Sequence, residues 1–251
     1  MKTLYIFLSF DFDADSAEQY YFPEKPVKIS RARFSVKVGL KRVLRLLRKY
    51  NIKTTFFTPG WVAEQYPDLV RLIVNDGHEL ALHGYRHEKL DEASYDEEYN
   101  IHRKSINCLR RFQKKIYGFR RPYWEITKNT FAILSKFGIT YDSSLMDSDE
   151  PYVFDVNGKK MVELPVYDLF DDWILFEIEH RHPKHVLNMW IYELDATLEE
   201  DVNYFCLILH PACIGRAGRI HMLDEFIKYA ISKKCEFAPG YVIARKLLKQ
   251  S

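Results

Sequence analysis

Two histidines, His83 and His87, stand four residues apart in Leu80-Ala-Leu-His-Gly-Tyr-Arg-His-Glu88. On a helical turn that spacing brings both imidazoles to one side, where they can ligate one ion at about 2.0–2.1 Å. Gly84 occupies the place where an HExxH helix carries its glutamate, so a general base must come from elsewhere. Asp11-Phe12-Asp13 offers one: residues i and i+2 of a strand face the same side, and two carboxylates there repel unless a cation neutralises one. Leu207-Ile-Leu-His-Pro211 places His210 directly behind aliphatics, and Tyr141-Asp-Ser-Ser144 adds Asp142. Tyr117-Gly-Phe-Arg-Arg-Pro-Tyr-Trp124 sets Arg120 between a strand and a proline turn. Taken singly, each has an ordinary structural explanation: a surface histidine pair, a solvated acidic strand end, a surface arginine. Together they meet the needs of metal-assisted amide hydrolysis. Asp13, His83 and His87 as ligands leave an open position for water, whose pKa falls towards about 7 on zinc. Asp11 can take the water's proton, and His210 can protonate the departing amine. Donors nearby would stabilise the tetrahedral oxyanion.

Residues so far apart in the chain meet only if the elements between them deliver each to one place. Short apolar runs at 5–12, 54–57, 79–82, 117–121, 139–142 and 204–209 read as strands. Between the first five lie segments with helical signals, at 34–50, 67–75 (closed by Gly77), 94–114 and 127–136 (ended by Gly138). Asp155-Val-Asn-Gly158 is a hairpin turn leading into a strand at 161–167, and helices are expected at 184–194 and 220–233. This alternation predicts an α/β fold, a parallel sheet wrapped by helices, in a single domain over 1–251. Asp11, Asp13, His83, His87, Arg120, Asp142 and His210 all fall at or just beyond the C-terminal ends of predicted strands. Barrels and open α/β sheets carry their active sites at that face.

The composition, 47% apolar and 29% charged over 251 residues, is that of a globular chain. A net charge of +2 gives no reason to expect nucleic acid or a membrane surface as partner. The basic run over 31–49 is interleaved with apolar residues at helical spacing, which predicts a solvated helix face. No stretch reaches the ~18 apolar residues of a membrane helix. The N-terminal apolar run ends at Asp11 without a small-residue cleavage site, and the four cysteines form no CxxC pair, so a cytoplasmic protein is expected. His180, His182 and His185 sit in a polar stretch away from any strand end and are expected in a solvated or substrate-edge loop. Asp171-Asp-Trp173, an acidic-aromatic triplet after a predicted strand, is expected to shape the substrate pocket.

The order Ser9-Phe-Asp-Phe-Asp13, His83-xxx-His87, Phe119-Arg-Arg-Pro-Tyr123, Tyr141-Asp-Ser-Ser-Leu-Met146 and Leu207-Ile-Leu-His-Pro211 resembles the polysaccharide deacetylase family (carbohydrate esterase family four) over nearly the whole chain. Glu163-Leu-Pro-Val166 and His210-Pro-x-x-x-Gly-Arg216 resemble its cytoplasmic branch of peptidoglycan-deacetylase-like, cyclic-imidase-like and allantoinase-like proteins. The resemblance implies an irregular (β/α) barrel with fewer than eight regular strands. It also implies Asp11 as base, Asp13, His83 and His87 as ligands of a divalent metal such as zinc, and Arg120 as the residue orienting the base. The Tyr123 backbone amide would serve the oxyanion, and His210 would be the acid with Asp142 as its orienting partner. Tyr123, Trp124, Asp172 and Trp173 would contact substrate, and a homo-oligomer would be usual. The expected substrate is an N-acetylated sugar; a small cyclic amide or imide, or a non-catalytic homologue using the same pocket, are the alternatives. Phe12 separates base and ligand acids that are adjacent in the family's commonest pattern.

Overall fold

The computed structural model describes residues 3–250, with Met1, Lys2 and Ser251 outside the described residues. The first half runs β1 (Tyr5–Asp11), α1 (Ser16–Tyr21), α2 (Pro26–Ala32), α3 (Leu40–Lys49), β2 (Thr55–Thr58), α4 (Gly60–Gln65), α5 (Pro67–Asn75), β3 (Glu79–Leu82) and α6 (Tyr95–Leu109). The second half runs β4 (Gly118–Phe119), α7 (Thr130–Phe137), β5 (Tyr141–Asp142), β6 (Tyr152–Val156), β7 (Lys159–Glu163), α8 (Pro183–Glu199), β8 (Tyr204–Leu209), α9 (Ala217–Ser232), β9 (Glu236–Phe237) and α10 (Gly240–Gln250). The strands form one mixed sheet in the order β6-β7-β5-β4-β3-β2-β1-β8, with β9 added beside β1. All pairings are parallel except the β6–β7 hairpin. A parallel bridge from Asp171 to Ile208 brings the chain beyond β7 back against β8, so the sheet curls into an irregular barrel.

Two apolar clusters follow from the alternation of side chains across each strand. Ile6, Leu8, Phe10, Phe56, Leu80 and Leu207 face outward and pack against the helices. Phe7, Phe57, Ala81, Tyr141, Cys206 and Ile208 face inward and fill the barrel. Gly118 is required here, because a Cβ at that position would run into the Tyr141 ring. Among the described residues no helix is long and apolar enough to cross a membrane.

The elements depart from expectation in ways that have local causes. The expected strands at 117–121 and 139–142 shrink to two residues each, since Pro122 cannot donate to a ladder and Tyr141 is reached only through a turn from Gly138, a left-handed helix cap with φ 78°. β7 ends at Glu163 instead of continuing to 167, because Pro165 interrupts it. The helix expected over 34–50 opens with one π-helical turn, Ser35–Gly39, before α3. Helices α1, α2, α4 and α10 were not expected.

Glu79 lies on the inward face of β3, at the end of the barrel opposite the strand C-termini. Its Oε2 accepts from Thr55 Oγ1 at 2.6 Å and from the Tyr241 amide at 3.1 Å, tying α10 to the barrel floor. Burial pushes its carboxyl up from 4.5 to about 7 against those hydrogen bonds. The folded protein therefore holds this proton where the unfolded chain has lost it. Stability is greatest below the unfolded value and falls as pH rises towards about 7. Glu79→Gln should remove that slope, gaining up to about 3 kcal/mol on the parent between about pH 5 and about pH 8 in urea unfolding. Parallel pH profiles for the two proteins would refute it.

Candidate active site

Parallel register aligns the strand ends: Asp11 lies beside Phe57, Phe10 beside Leu209 and Leu82 beside Phe119. Because Phe7, Ala81, Gly118 and Ile208 point into the barrel, the same parity sends Asp11, His83, Arg120 and His210 inward at the C-terminal rim. The fully buried Arg120 guanidinium sits 4.1 Å over the Phe57 ring and donates through Nη1 to Asp11 Oδ1 at 2.8 Å. Its Nε and Nη2 donate to the Ser143 carbonyl (3.1 Å) and hydroxyl (3.0 Å). Burial acts to raise the Asp11 carboxyl, but Arg120, His83 and His210 outweigh it and hold the group below its usual value. Asp11 is thus held as a carboxylate with Oδ2 free of Arg120.

Asp13, His83 and His87 converge beside it. His83 Nε2 is 3.4 Å from Asp13 Oδ1, and His87 Nε2 is 3.6 Å from Asp13 Oδ2. The helical turn expected to pair the histidines is absent. They are instead brought together by a loop after β3, in which Gly84 (φ 66°) and His87 (φ 62°) adopt left-handed backbone. His83 Nδ1 donates to the Arg120 carbonyl at 2.8 Å, which fixes the tautomer and leaves the Nε2 lone pair facing Asp13. Asp13 Oδ1 and His83 Nε2 are buried with no hydrogen-bond partner, and one donor atom from each of the three residues lies within 4.8 Å of the others. Burial holds His83 down at about 4, in the neutral form that ligates. Two imidazoles and a carboxylate suit zinc and neighbouring transition metals, so this donor set fits a divalent cation.

His210 completes the rim. Its Nε2 lies 3.9 Å from Asp11 Oδ2 and 3.9 Å from Asp13 Oδ2, while Nδ1 meets Asp172 Oδ1 at 2.8 Å and Asp171 Oδ1 at 3.5 Å. Burial would lower the imidazole, but these carboxylates prevail and raise it well above its ordinary value. The orienting role expected of Asp142 is therefore misplaced. Tyr141 points into the barrel, so Asp142 faces the other way, where its carboxylate receives the Ser144 amide and hydroxyl, both at 3.0 Å. Glu163 shares that amide at 3.0 Å, and burial raises Asp142 to about 6 although hydrogen bonding with Glu163 and Ser144 acts to lower it. Asp172, expected to contact substrate, is fully buried behind His210; its neighbour Asp171 lines the cavity instead.

The cluster floors a cavity of about 460 Å³. Tyr123 and Trp124 form one wall, both in left-handed backbone (φ 62° and 70°), and Trp173 stands opposite with its ring 6.0 Å from His210. The Tyr123 ring meets the edge of His87 at 4.7 Å. Sequence reading missed the third wall, made by Glu18, Phe22, Lys28 and Arg31 of the α1–α2 segment. Arg31 is exposed, as expected of a solvated basic face, and its guanidinium also lies 5.1 Å over Trp173 and 3.4 Å from Glu177. The rest of that basic run, from Arg33 and Lys37 into α3, is mostly exposed as expected. Pro26, the first residue of α2, was the available signal for a helix start. Of the histidine trio, His182 caps α8 through its Nδ1, and all three are exposed.

Inward carboxylates, paired imidazoles and a buried arginine at the C-terminal rim of a curled barrel define a hydrolytic class of α/β protein. The polysaccharide deacetylase family model matches residues 35–141. A crystal structure of a candidate polysaccharide deacetylase from Mycobacterium smegmatis is 34% identical, with a TM-score of 0.91 over 99% of this chain and 91% of that one. Helicobacter pylori peptidoglycan deacetylase is 27% identical over 240 residues, 82% of each protein. The Puue allantoinase structure, at 21% identity, shares the fold with a TM-score of 0.88 over 96% of this chain and 89% of its own. The chain belongs to the polysaccharide deacetylase family, hydrolases of carbon–nitrogen amide bonds.

Equilibrium dialysis against zinc should find one tight site per chain. His83→Ala should weaken it by more than the ~10–100-fold that loss of an outer partner costs. Equal binding by parent and variant would remove these residues from the metal site.

Proposed function

We propose that the chain is a metal-dependent N-deacetylase of a soluble N-acetylated saccharide. The observation that carries this reading is the juxtaposition of an arginine-held Asp11, the Asp13–His83–His87 cluster and the aspartate-backed His210 around one cavity. A zinc ion held by those three ligands would polarise the amide carbonyl and lower the pKa of a water to about 7. Asp11 Oδ2 accepts the water's proton as its oxygen adds to the carbonyl carbon. Arg120 keeps Asp11 ionised and fixes its rotamer. The Tyr123 amide donates to no protein acceptor among the described residues, and Tyr123 lines the cavity, which suits the amide to the developing oxyanion. His210, protonated and oriented by Asp172, gives its proton to the leaving nitrogen as the carbon–nitrogen bond breaks, releasing acetate and the amine. Tyr123, Trp124 and Trp173 supply flat faces against which a sugar ring packs.

The walls enclose about 460 Å³, and this compactness favours a short saccharide over a polymer threaded through an open groove. The same enclosure supports a second reading, hydrolysis of a small cyclic amide or imide. The four free, buried cysteines support a reducing, cytoplasmic setting, and the family resemblance supports a homo-oligomer.

A panel of N-acetylglucosamine oligomers, cyclic imides and ureides tests the assignment. Acetate release that Asp11→Asn and His210→Ala abolish is expected; turnover of cyclic substrates alone would favour the second reading, and turnover of none would overturn both. Trp173→Ala should shift preference across the panel, and unchanged preference would remove it from substrate contact. Asp172→Asn should lower kcat by about 100-fold or more, since it disturbs the imidazole's tautomer. Asp142→Asn should cost less than tenfold, roughly the effect of a group outside the proton path. The reverse order would restore Asp142 as the orienting residue.

A further inference from the structure

Ser94 caps α6 with a reciprocal bond to Glu97, which fixes the helix's first turn and turns the next residue, Glu98, into the protein. Glu98 is fully buried, and side chains from both ends of the 121–130 segment converge on its carboxylate. Thr127 Oγ1 donates to Oε2 at 2.6 Å, and Thr130 Oγ1 donates to Oε1 at 2.6 Å. At the other end of the segment Arg121 Nη1 lies 3.9 Å from Oε1, and His102 Nε2 closes the set at 3.4 Å. Burial alone would raise this carboxyl, but His102, Thr127 and Thr130 outweigh it and hold it below its ordinary value.

Between those two tethers lie Tyr123 and Trp124, consecutive non-glycine residues in left-handed backbone. Each is strained for a residue with a Cβ and persists only where the surroundings over-determine it. Inside the segment the backbone bonds are local, Trp124 amide to Arg121 carbonyl at 3.2 Å and Glu125 amide to Tyr123 carbonyl at 2.9 Å, so they do not anchor it to the fold. The hydrogen-bonding anchors outside it are Ser144 Oγ on the Arg121 amide at 2.9 Å and Glu98, beside ring contacts of Tyr123 with His87 and of Trp124 with Arg120.

We propose that Glu98 is a positioning residue: one buried carboxylate on α6 clamps both ends of the Tyr123–Trp124 loop and thereby holds the Tyr123 amide at the cavity. Its effect on turnover rests on the reading of that amide as the oxyanion donor; its effect on the loop does not.

The experiment compares the zinc-loaded parent with Glu98→Ala, Glu98→Gln and the Thr127→Val/Thr130→Val double variant. Backbone exchange over 122–125 should speed up about tenfold or more in Glu98→Ala and in the double variant. Their kcat should fall about 10- to 100-fold, the range expected when a catalytic donor is misplaced by about 1 Å, with KM and zinc affinity within about twofold. Glu98→Gln, which keeps an acceptor oxygen, should recover most of both. Unchanged exchange over 122–125 in a folded variant overturns the clamp, and so does faster exchange at full kcat. Should Glu98→Ala fail to fold, the threonine pair and Glu98→Gln carry the same criteria. A parent inactive on every amide, with exchange still accelerated in the variants, would sink the hydrolase reading and leave the clamp standing.

Discussion

The site is organised around a buried guanidinium. Arg120 has no solvent exposure and no room to move: Phe57 lies beneath it, Ser143 holds two of its nitrogens and Asp11 takes the third. Leaving one member of such a pair unpartnered in the interior costs about 3–5 kcal/mol, so arginine and aspartate keep each other charged and in place. Everything else at the rim is arranged relative to them. The Arg120 carbonyl orients His83, Asp11 faces His210 across the cavity, and Asp13 is carried two residues beyond Asp11 to where the imidazoles wait. The carboxyl pair Asp142–Glu163 serves the same centre from behind, by holding Ser144 next to the serine that grips Arg120.

The sequence carried the strand ends clearly because a parallel sheet gives them a strong signature. Each strand is an apolar run, and a titratable residue directly after it lands on one rim whatever its distance along the chain. Asp11, His83, Arg120 and His210 were legible for that reason. Parity was equally available but was not applied to β5: an inward tyrosine at 141 forces an outward aspartate at 142. The histidine spacing picked out two imidazoles that do converge, but for a reason that does not hold, since four residues of loop with two left-handed positions replace the helical turn.

Other features had no local signature. Asp172 reaches His210 because a short irregular stretch after β7 returns to the sheet through the bridge from Asp171 to Ile208, and that return is a tertiary event. The α1–α2 wall consists of helices of six and seven residues, too short to show a period. Glu98 resembled any first-turn acid on a surface helix; only the neighbouring threonines at 127 and 130 reveal that it is an anchor.

The charges at the rim constrain what can bind there. Asp11 is balanced by Arg120, and Asp172 by His210. Burial, and after it the carboxylates of Asp11, Glu18 and Asp171, drive the Asp13 carboxyl up against the pull of His210, whose Nε2 lies 3.9 Å away. A divalent ion between Asp13 and the two neutral imidazoles would leave a local surplus of about one positive charge, at the point where an amide oxygen becomes anionic. The outer wall adds Lys28, held 3.9 Å over the Phe22 ring, and Arg31 over Trp173. Those two cations stand against two carboxylates, Glu18 in the same wall and Glu177 3.4 Å from Arg31, so the entry path carries little net charge, in line with the chain's overall +2. A neutral substrate with flat faces matches that path. The enclosing aromatic walls therefore act by shape, and charge acts at the Asp13–His83–His87 cluster on the cavity floor.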